Sequence, residues 1–425
     1  MKILIKGGWV VDPSQNIDEP MDVAISEGKI EALAKDITGE GYHLIDARGQ
    51  YVVPGLIDMH VHFREPGFEQ KETIETGALA AVAGGFTSVV CMPNTQPVID
   101  DRKIAAFVNG KAAAAACNVF MLGSITKNLD GKEKSPYEAL KEEGILGITD
   151  DGKTVMDAGV MYEAMKDAAA LDLLVSVHCE DANLVYDRSI HRGEVSKKLN
   201  LAGVPGVAED LIIQRDILLA EETGAKLHIQ HISTKKGVAL VREAKKRGVK
   251  VSCEATPHHF SLWDEAICQQ GTNAKMSPPL RSKEDMEAVI LGLLDGTIDV
   301  IATDHAPHTK EDKSKSLVDA ANGIIGLETA LGLALTKLVH QKGMTLTTLI
   351  DKMSCLPAKL LNIPKGTLKK GSEADITMID IQKKWRVDEK KFYSKAQNMP
   401  FGGLELQGKA TATIVKGVLK YVENQ

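Results

Sequence analysis

The 425-residue chain is too long for one typical domain, and its 44% hydrophobic and 26% charged residues are ordinary for a globular enzyme. Its net charge is −7 and no basic block offsets it, which argues against a nucleic-acid partner or a membrane surface. No apolar run approaches the ~20 residues that a membrane helix needs. The six cysteines are scattered and form no Cys-x-x-Cys pair, so we expect a reduced, cytoplasmic protein.

The two ends of the chain have β character. Short β-type segments with glycine turns lie at 3–5, 9–11, 22–25 and 43–45, and similar segments return at 371–380 and 410–418. We interpret residues 1–53 and 365–425 as the two parts of one small β-sandwich domain, assembled from both sides of the segment between them.

From residue 54 onward, apolar β segments alternate with segments of helical period. Strands are predicted near 52–62, 87–94, 118–125, 145–150, 173–180, 226–233, 250–257 and 299–304. Helices are predicted at 72–83, 156–170, 208–223 and 236–247, and helical character continues over 325–362. Strand–helix alternation repeated eight times is typical of a parallel (β/α)₈ barrel, with an open doubly wound sheet as the alternative. We therefore predict an α/β fold with a TIM-like barrel over 54–364.

Polar and apolar residues alternate at the end of the first barrel strand. Regular alternation places Asp58, His60 and His62 on one face and the apolar residues between them on the other. Two imidazoles on one face of a rigid strand can ligate a metal ion, whereas the alternative is a pair of ordinary histidines near a loop. Asp58 shares this face, where it either orients a ligand or contributes to packing.

Other strands also end in polar residues, and barrel active sites lie at these C-terminal strand ends. The residues in question are His178, His231, Asp304 and the neighbouring pair Asp150 and Asp151. His228 and His231 face opposite ways, so we choose His231 and expect His228 to be structural or to face a helix. Periodicity does not choose between Asp150 and Asp151. Four histidines and two aspartates around one mouth predict a metal site.

Three segments resemble the signatures of the dihydroorotase family. They are Asp-Met-His-Val-His-Phe-Arg-Glu-Pro-Gly at 58–67, Met-Pro-Asn-Thr at 92–95 and Ala-Thr-Asp-His-Ala-Pro-His-Thr-Lys-Glu-Asp-Lys at 302–313. The resemblance spans nearly the whole chain and is to the long bacterial (class I) type in the amidohydrolase superfamily. It implies a barrel with a flanking β-sandwich, and reversible cyclisation of N-carbamoyl-L-aspartate to L-dihydroorotate in pyrimidine synthesis.

The resemblance also implies the residues of the site. The implied metal ligands, for one or two Zn²⁺ ions, are His60, His62, Asp151, His178, His231 and Asp304. Asp304 is implied to take the proton of the attacking water and to hand it to the leaving ring nitrogen. The implied substrate contacts are Arg64, Asn94 and His308.

The chain departs from the family pattern at two places near the expected pocket. Ser277 stands where the family usually has Asn before Pro-Pro-Leu-Arg, and Ala-Asn-Gly at 321–323 stands where it often has Pro-Phe-Gly. We expect Ser277, Asn322 and the backbone of Gly323 to contact the substrate in place of the usual groups. His258 and His259 also resemble the family, and we give them a structural interpretation.

Two alternatives remain at this level. Hydantoinases, dihydropyrimidinases and allantoinases are related cyclic-amide hydrolases that bridge their metals with a carboxylated lysine, and no lysine ends the fourth strand here. An inactive dihydroorotase-like partner of aspartate transcarbamoylase would lose metal ligands, and none is missing. The small-molecule substrate is the expected partner, and the sequence leaves open a homo-oligomer and an association with aspartate transcarbamoylase.

Overall fold

The structure, a computed structural model, describes residues 2–423 and both begins and ends with β-strands. In chain order the strands are β1 (Ile3–Asp12), β2 (Ile17–Ser26), β3 (Lys29–Ala34), β4 (His43–Asp46), β5 (Tyr51–Pro54), β6 (Leu56–Val61), β7 (Phe86–Cys91), β8 (Asn118–Met121), β9 (Gly147–Ile148), β10 (Leu174–Val177), β11 (Lys226–Ile229), β12 (Val251–Ala255), β13 (Val300–Ile301), β14 (Ile376–Arg386), β15 (Glu405–Val415) and β16 (Val418–Val422). Helices follow most of the strands from β6 to β13, as the sequence pattern predicts.

The helices lie mainly in the central part of the chain. They are α1 (Ile74–Ala83), α2 (Arg102–Ala112), α3 (Tyr137–Glu142), α4 (Ala158–Ala170), α5 (Glu194–Lys198), α6 (Gly206–Thr223), α7 (Lys235–Lys246), α8 (Pro257–Ser261), α9 (Ala266–Gln270), α10 (Lys283–Leu294), α11 (Lys310–Lys313), α12 (Ala330–Ala334), α13 (Leu346–Ile350) and α14 (Leu356–Leu360). Segments of π-helix extend α12 over Leu335–His340 and join α13 to α14 over Asp351–Cys355. Within residues 2–423, no helix has both the length and the apolar character that crossing a bilayer requires.

Eight parallel strands, β6 to β13, close into a barrel. β6, β7 and β8 form one sheet and β9 to β13 form another. A parallel bridge between Gly123 and Ile148 joins β8 to β9, and another between Val61 and His305 joins β6 to the segment after β13. The predicted (β/α)₈ barrel is therefore confirmed, because an open doubly wound sheet would have two unjoined edges.

The chain ends form a separate mixed sheet beside the barrel. Its strand order is β16-β15-β14-β5-β1-β2-β3, with β4 paired to β1. Apolar side chains from both ends of the chain share one core, including Ile3, Ile5, Val23, Ile25, Val52, Ile376, Met378 and Ile414. This confirms that the two ends build one β unit, while the residue limits 1–53 and 365–425 stay a prediction.

The predicted strand at 52–62 is wrong as a single element. Residues Tyr51–Pro54 pair with β1 and β14 in the terminal sheet, whereas Leu56–Val61 pair with β7 in the barrel. Gly55 separates the two strands, and a Cβ atom there would lie 2.1 Å from Thr87 Oγ1. A residue without a side chain is therefore required where the chain passes from one sheet to the other.

The apolar side chains of β6 and of the residues after it do not share one face, contrary to the prediction. Ile57 and Met59 pack in the barrel interior, whereas Val61 and Phe63 belong to the core between the barrel and its helices. The pairing of β6 with β7 shifts register between Asp58 and Val61. Such a shift reverses the alternation of side chains. Residues after the shift therefore point to the opposite face from the one that regular alternation along the strand predicts.

Several barrel strands end before the residues that the sequence assigns to them. β11 ends at Ile229 and β13 ends at Ile301, whereas the predicted strands continue to 233 and 304. His231 and Asp304 have positive φ angles of 30° and 49°. The chain turns at these positions, which directs polar side chains over the mouth of the barrel instead of along its wall.

Candidate metal-dependent active site

Six side chains from five strand ends meet at the C-terminal mouth of the barrel. Their nitrogen and carboxylate oxygen atoms form three overlapping groups of three, and within each group all atoms lie within 4.8 Å of one another. All six side chains are buried. They are His60, His62, Asp151, His178, His231 and Asp304.

The two carboxylates lie between the imidazoles. His62 Nε2 is 3.0 Å from Asp304 Oδ1 and 3.4 Å from Asp151 Oδ2. His60 Nε2 is 3.4 Å from Asp151 Oδ1 and 3.5 Å from Asp304 Oδ1. His231 Nε2 is 3.7 Å from Asp151 Oδ1. Imidazole nitrogens and carboxylate oxygens this close together form a donor set that fits a divalent metal ion.

One buried nitrogen in this cluster supports that fit. His60 Nε2 is buried and has no hydrogen-bond partner among the described residues. An unpaired buried polar atom costs free energy, and a metal ion at this point would use its lone pair. In His62, the nitrogen Nδ1 is already used, because its N–H donates to Asn94 Oδ1 at 2.9 Å. Its Nε2 is therefore the atom left for a metal.

The charge state of the two aspartates also suits a cation. Burial raises the pKa of Asp304, but the neighbouring His60 and His62 outweigh it and lower that pKa below its ordinary value. Burial acts on the pKa of Asp151 in the same way, and His60 and His231 bring it well below its ordinary value. Both carboxyl groups are therefore negatively charged and are able to ligate.

The structure separates Asp150 from Asp151, which periodicity leaves equivalent. Asp150 Oδ1 accepts from the backbone N–H of Thr126 at 3.0 Å, and its other oxygen binds the Thr126 hydroxyl. Asp151 faces the four histidines instead. The residues lining the cavity above this cluster include no lysine within the described part of the chain.

A cavity of about 220 Å³ lies above the cluster and has a basic wall. Arg64 Nη2 is 3.3 Å from His308 Nε2, and Lys71 Nζ is 3.3 Å from His308 Nδ1. Burial, followed by the charges of Arg64 and Lys71, lowers the pKa of His308 to about 2, so this imidazole is neutral. The wall thus presents the Arg64 cation beside a neutral imidazole, which suits a carboxylate ligand. Lys71 contacts His308 without lining the cavity, and the charged lining residue that sequence reasoning missed is Arg188, which no motif marks.

Both departures from the family pattern reach the cavity, but Gly323 does not line it. Ser277 and Asn322 line the cavity, and Asn322 Oδ1 is buried without a hydrogen-bond partner in the described chain. Gly323 is not among the lining residues, and its N–H donates to the Lys275 carbonyl at 3.0 Å. Its φ is 158°, and a Cβ atom would lie 2.6 Å from His308 Cδ2. Gly323 therefore allows the loop to pack closely against His308.

Of the two histidines that follow β12, His258 and His259, the second has structural hydrogen bonds. His259 Nε2 donates to the Pro278 carbonyl at 3.0 Å and its Nδ1 lies 2.8 Å from Thr256 Oγ1, so it supports the loop of Ser277. His258 and His259 belong to none of the possible metal groups found in the described residues. This arrangement agrees with their structural interpretation.

For two residues next to the metal cluster, the structure decides between the alternatives that the sequence left open. Asp58 accepts from the backbone N–H of His60 and of Thr303, both at 3.1 Å, so it holds main chain and not an imidazole. His228 faces the barrel interior, where its Nε2 is 3.1 Å from Glu254 Oε2. The possibility that His228 faces a helix is wrong, and the structural alternative holds. Sequence reasoning missed Glu254, although its alternation with apolar neighbours in Val-Ser-Cys-Glu-Ala at 251–255 was a usable signal.

Replacing either of two histidines tests the cluster as a metal site. We expect His60→Ala and His178→Ala each to lower bound metal and activity together, because each removes one imidazole donor from a shared centre. Metal content after dialysis and turnover should be measured on the same sample. A variant that keeps full metal and full activity would exclude that residue from the centre.

Solved structures of similar fold include hydantoinases. The L-hydantoinase (dihydropyrimidinase) from Arthrobacter aurescens superimposes with a TM-score of 0.90 at 26% identity, over 100% of this chain and 96% of the other. The D-hydantoinase (dihydropyrimidinase) from Thermus sp. gives a TM-score of 0.87 at 26% identity, over 100% and 97%. The fold and the histidine–aspartate cluster define a metal-dependent cyclic amidohydrolase.

Sequence relatives give the family within this class. The dihydroorotase of Trichlorobacter lovleyi is 49% identical to this chain over 99% of each of the two chains. The dihydroorotase of Syntrophus aciditrophicus is 48% identical over 100% of each. The dihydroorotase of Pelotomaculum thermopropionicum is 50% identical over 98% of both chains. The family model described as "Dihydro-orotase-like" matches residues 49–237. The chain belongs to the dihydroorotase family, whose activity serves pyrimidine synthesis.

Proposed function

We propose that the six buried side chains would hold one or two divalent ions, with Zn²⁺ as the expected metal, and that Asp151 would be a ligand shared by two ions. Asp151 Oδ2 faces His62, whereas Oδ1 lies 3.7 Å from His231 Nε2 and 4.0 Å from His178 Nδ1. The two carboxylate oxygens thus face different histidines, which supports a bridging role. When bound, the metal would polarise the reacting carbonyl and lower the pKa of a coordinated water.

Asp304 is the proposed general acid and base. Its carboxylate lines the cavity and is held beside His62, and its lowered pKa leaves it unprotonated at the start of hydrolysis. In the hydrolysis of L-dihydroorotate it would accept the proton of the attacking water and deliver it to the ring nitrogen that leaves. In the cyclisation of N-carbamoyl-L-aspartate, the same carboxylate would move the proton in the opposite direction.

The basic wall would orient the substrate. The Arg64 guanidinium has a planar pair of donors that matches the carboxylate that both substrate forms retain, and neutral His308 supplies a further polar contact. Asn94 touches His62 and Asp151, which places an amide between the metal ligands and the cavity. Ser277 and Asn322 lie on the cavity wall, where the unpartnered oxygen of Asn322 is an acceptor for a ureide N–H. Gly323 would contribute by its close packing on His308.

The observation that carries this proposal is the convergence of four imidazoles and two charged carboxylates below a cavity that a partly buried guanidinium lines. A direct test measures hydrolysis of L-dihydroorotate, hydantoin, dihydrouracil and allantoin by one preparation whose metal content is quantified. We expect turnover of L-dihydroorotate alone at substantial rate, proportional to bound metal. Faster turnover of hydantoin, or full turnover after metal removal, would contradict the proposal.

Ser277→Asn tests the departure in the cavity wall. Restoring the usual family residue is expected to change KM more than kcat, because the side chain faces the substrate and not the reacting carbonyl. Steady-state kinetics in both directions give the two parameters. If neither parameter changes, Ser277 has no contact with the substrate.

We also propose the cellular setting. Free thiols at all six cysteines are compatible with a reducing compartment, which supports a cytoplasmic location.

The limits 1–53 and 365–425 are proposed for the β domain, and 54–364 for the barrel domain. Self-association and association with aspartate transcarbamoylase remain predictions, and sedimentation of the pure chain with and without that partner tests both.

A further inference from the structure

Glu254 lies inside the barrel, beneath the metal cluster. On β12, Val251, Cys253 and Ala255 pack in the core between the strands and the helices. Because side chains alternate along a strand, Glu254 faces the barrel interior, where it is only 1% exposed. Burying a carboxylate in such a position costs much free energy unless several hydrogen-bond donors surround it.

Three donors do surround Glu254. Its Oε1 lies 2.6 Å from His60 Nδ1 and 3.3 Å from the backbone nitrogen of His231, and its Oε2 lies 3.1 Å from His228 Nε2. His228 Nδ1 is in turn 2.8 Å from Ser252 Oγ. A carboxylate can only accept, so the proton of His60 must be on Nδ1. In a neutral ring, which metal ligation requires, the lone pair of His60 is then on Nε2, the buried atom that has no partner in the described part of the chain.

We infer that Glu254 is a positioning residue of the metal centre, which fixes the tautomer and ring orientation of His60 so that Nε2 faces the ion. The inference rests on the proposed ligand set. His62 has a neutral partner at the same ring position, the amide oxygen of Asn94. A charged acceptor makes an imidazole a stronger ligand than a neutral one does. His228, held by Ser252, fixes the other oxygen of Glu254 and so supports the arrangement from below.

Glu254→Met tests this role, because Met fills similar volume without any oxygen acceptor. We expect zinc affinity, measured by chelator competition, to fall by about 10- to 100-fold. In zinc-loaded protein labelled at histidine, nitrogen chemical shifts should show His60 protonated on Nδ1 and bound through Nε2 in the wild type, and a mixture of ring orientations in the variant. Glu254→Gln keeps one oxygen acceptor and should lose less affinity than Glu254→Met, but bind zinc measurably more weakly than the wild type.

Glu209→Gln is the matched control. Glu209 is also buried and hydrogen-bonded, to Arg281 Nη2 at 3.0 Å and to the Ser233 backbone N–H at 2.8 Å, and it touches none of the proposed ligands. We expect this variant to lower thermal stability and to leave zinc affinity unchanged. That result would separate a loss of metal positioning from a general loss of stability.

Zinc affinity of folded Glu254→Met within twofold of wild type, or a zinc-bound His60 ring that gives the same spectrum as in the wild type, would overturn the inference. If Glu254→Met does not fold, Glu254→Gln decides, and wild-type affinity in that variant overturns it as well. His60→Ala is measured in parallel to separate the two proposals. Undiminished affinity in His60→Ala would show that the ligand set is wrong, whereas reduced affinity there with full affinity in the Glu254 variants would refute only the positioning role.

Discussion

Asp304→Asn is expected to lower turnover by ~10²–10⁴-fold while the barrel stays folded. An amide has the size of a carboxylate but cannot accept the proton of the attacking water. The substitution also removes a negative charge next to His60 and His62, at 3.5 and 3.0 Å, so some loss of metal affinity should accompany the loss of turnover. Loss of turnover beyond the loss of metal is the signature of the proton-transfer role.

The experiment therefore measures turnover per bound metal ion, with circular dichroism and thermal unfolding as checks on the fold. Asp299→Asn is the matched control, because Asp299 lies just before β13, at the other end of the same strand. Its carboxylate binds Lys245 Nζ at 2.6 Å and the Cys253 backbone N–H at 2.9 Å. We expect that control to lose stability and to keep turnover. Turnover of Asp304→Asn within tenfold of wild type would argue against the assigned role.

Asp151→Ala is expected to lose most activity and metal, and bicarbonate should not restore either. A carboxylated lysine forms with carbon dioxide, so an enzyme that depends on one recovers only when carbon dioxide or bicarbonate is present. Asp151 is a permanent carboxylate, and no lysine is among the described residues that line the cavity. We therefore expect metal-free wild-type protein to recover equal activity with Zn²⁺ in buffer stripped of carbon dioxide and in buffer with bicarbonate.

Asp150→Ala controls for damage to the turn after β9. Asp150 is adjacent in sequence and buried, but its carboxylate binds Thr126. We expect Asp150→Ala to unfold more easily and to bind the same amount of zinc, whereas Asp151→Ala should bind less. Recovery of the wild type that requires bicarbonate, or normal activity in Asp151→Ala, would show that another group bridges the ions.

The sequence by itself determined the barrel, the β unit built from the two ends, and the group of residues expected around the mouth. Each βα unit buries its own apolar strand, so local alternation of strand and helix patterns was sufficient to predict closure of eight strands. Polar residues at the strand ends have few structural explanations in such a barrel. His60, His62, His178, His231 and Asp304 could therefore be marked as candidates without knowledge of any contact, and the family resemblance added the choice of Asp151.

Only the tertiary structure decided what these side chains face. The register shift in β6 and the turns at His231 and Asp304 redirect side chains that a regular strand would point elsewhere. Glu254 is 194 positions from His60 in sequence, and their contact exists only because barrel closure leaves a single strand, β13, between β12 and β6. Asp150 and Asp151 differ in the same way, because Thr126 holds one and the histidines surround the other. Periodicity describes one strand at a time, whereas these contacts depend on several strands packed together.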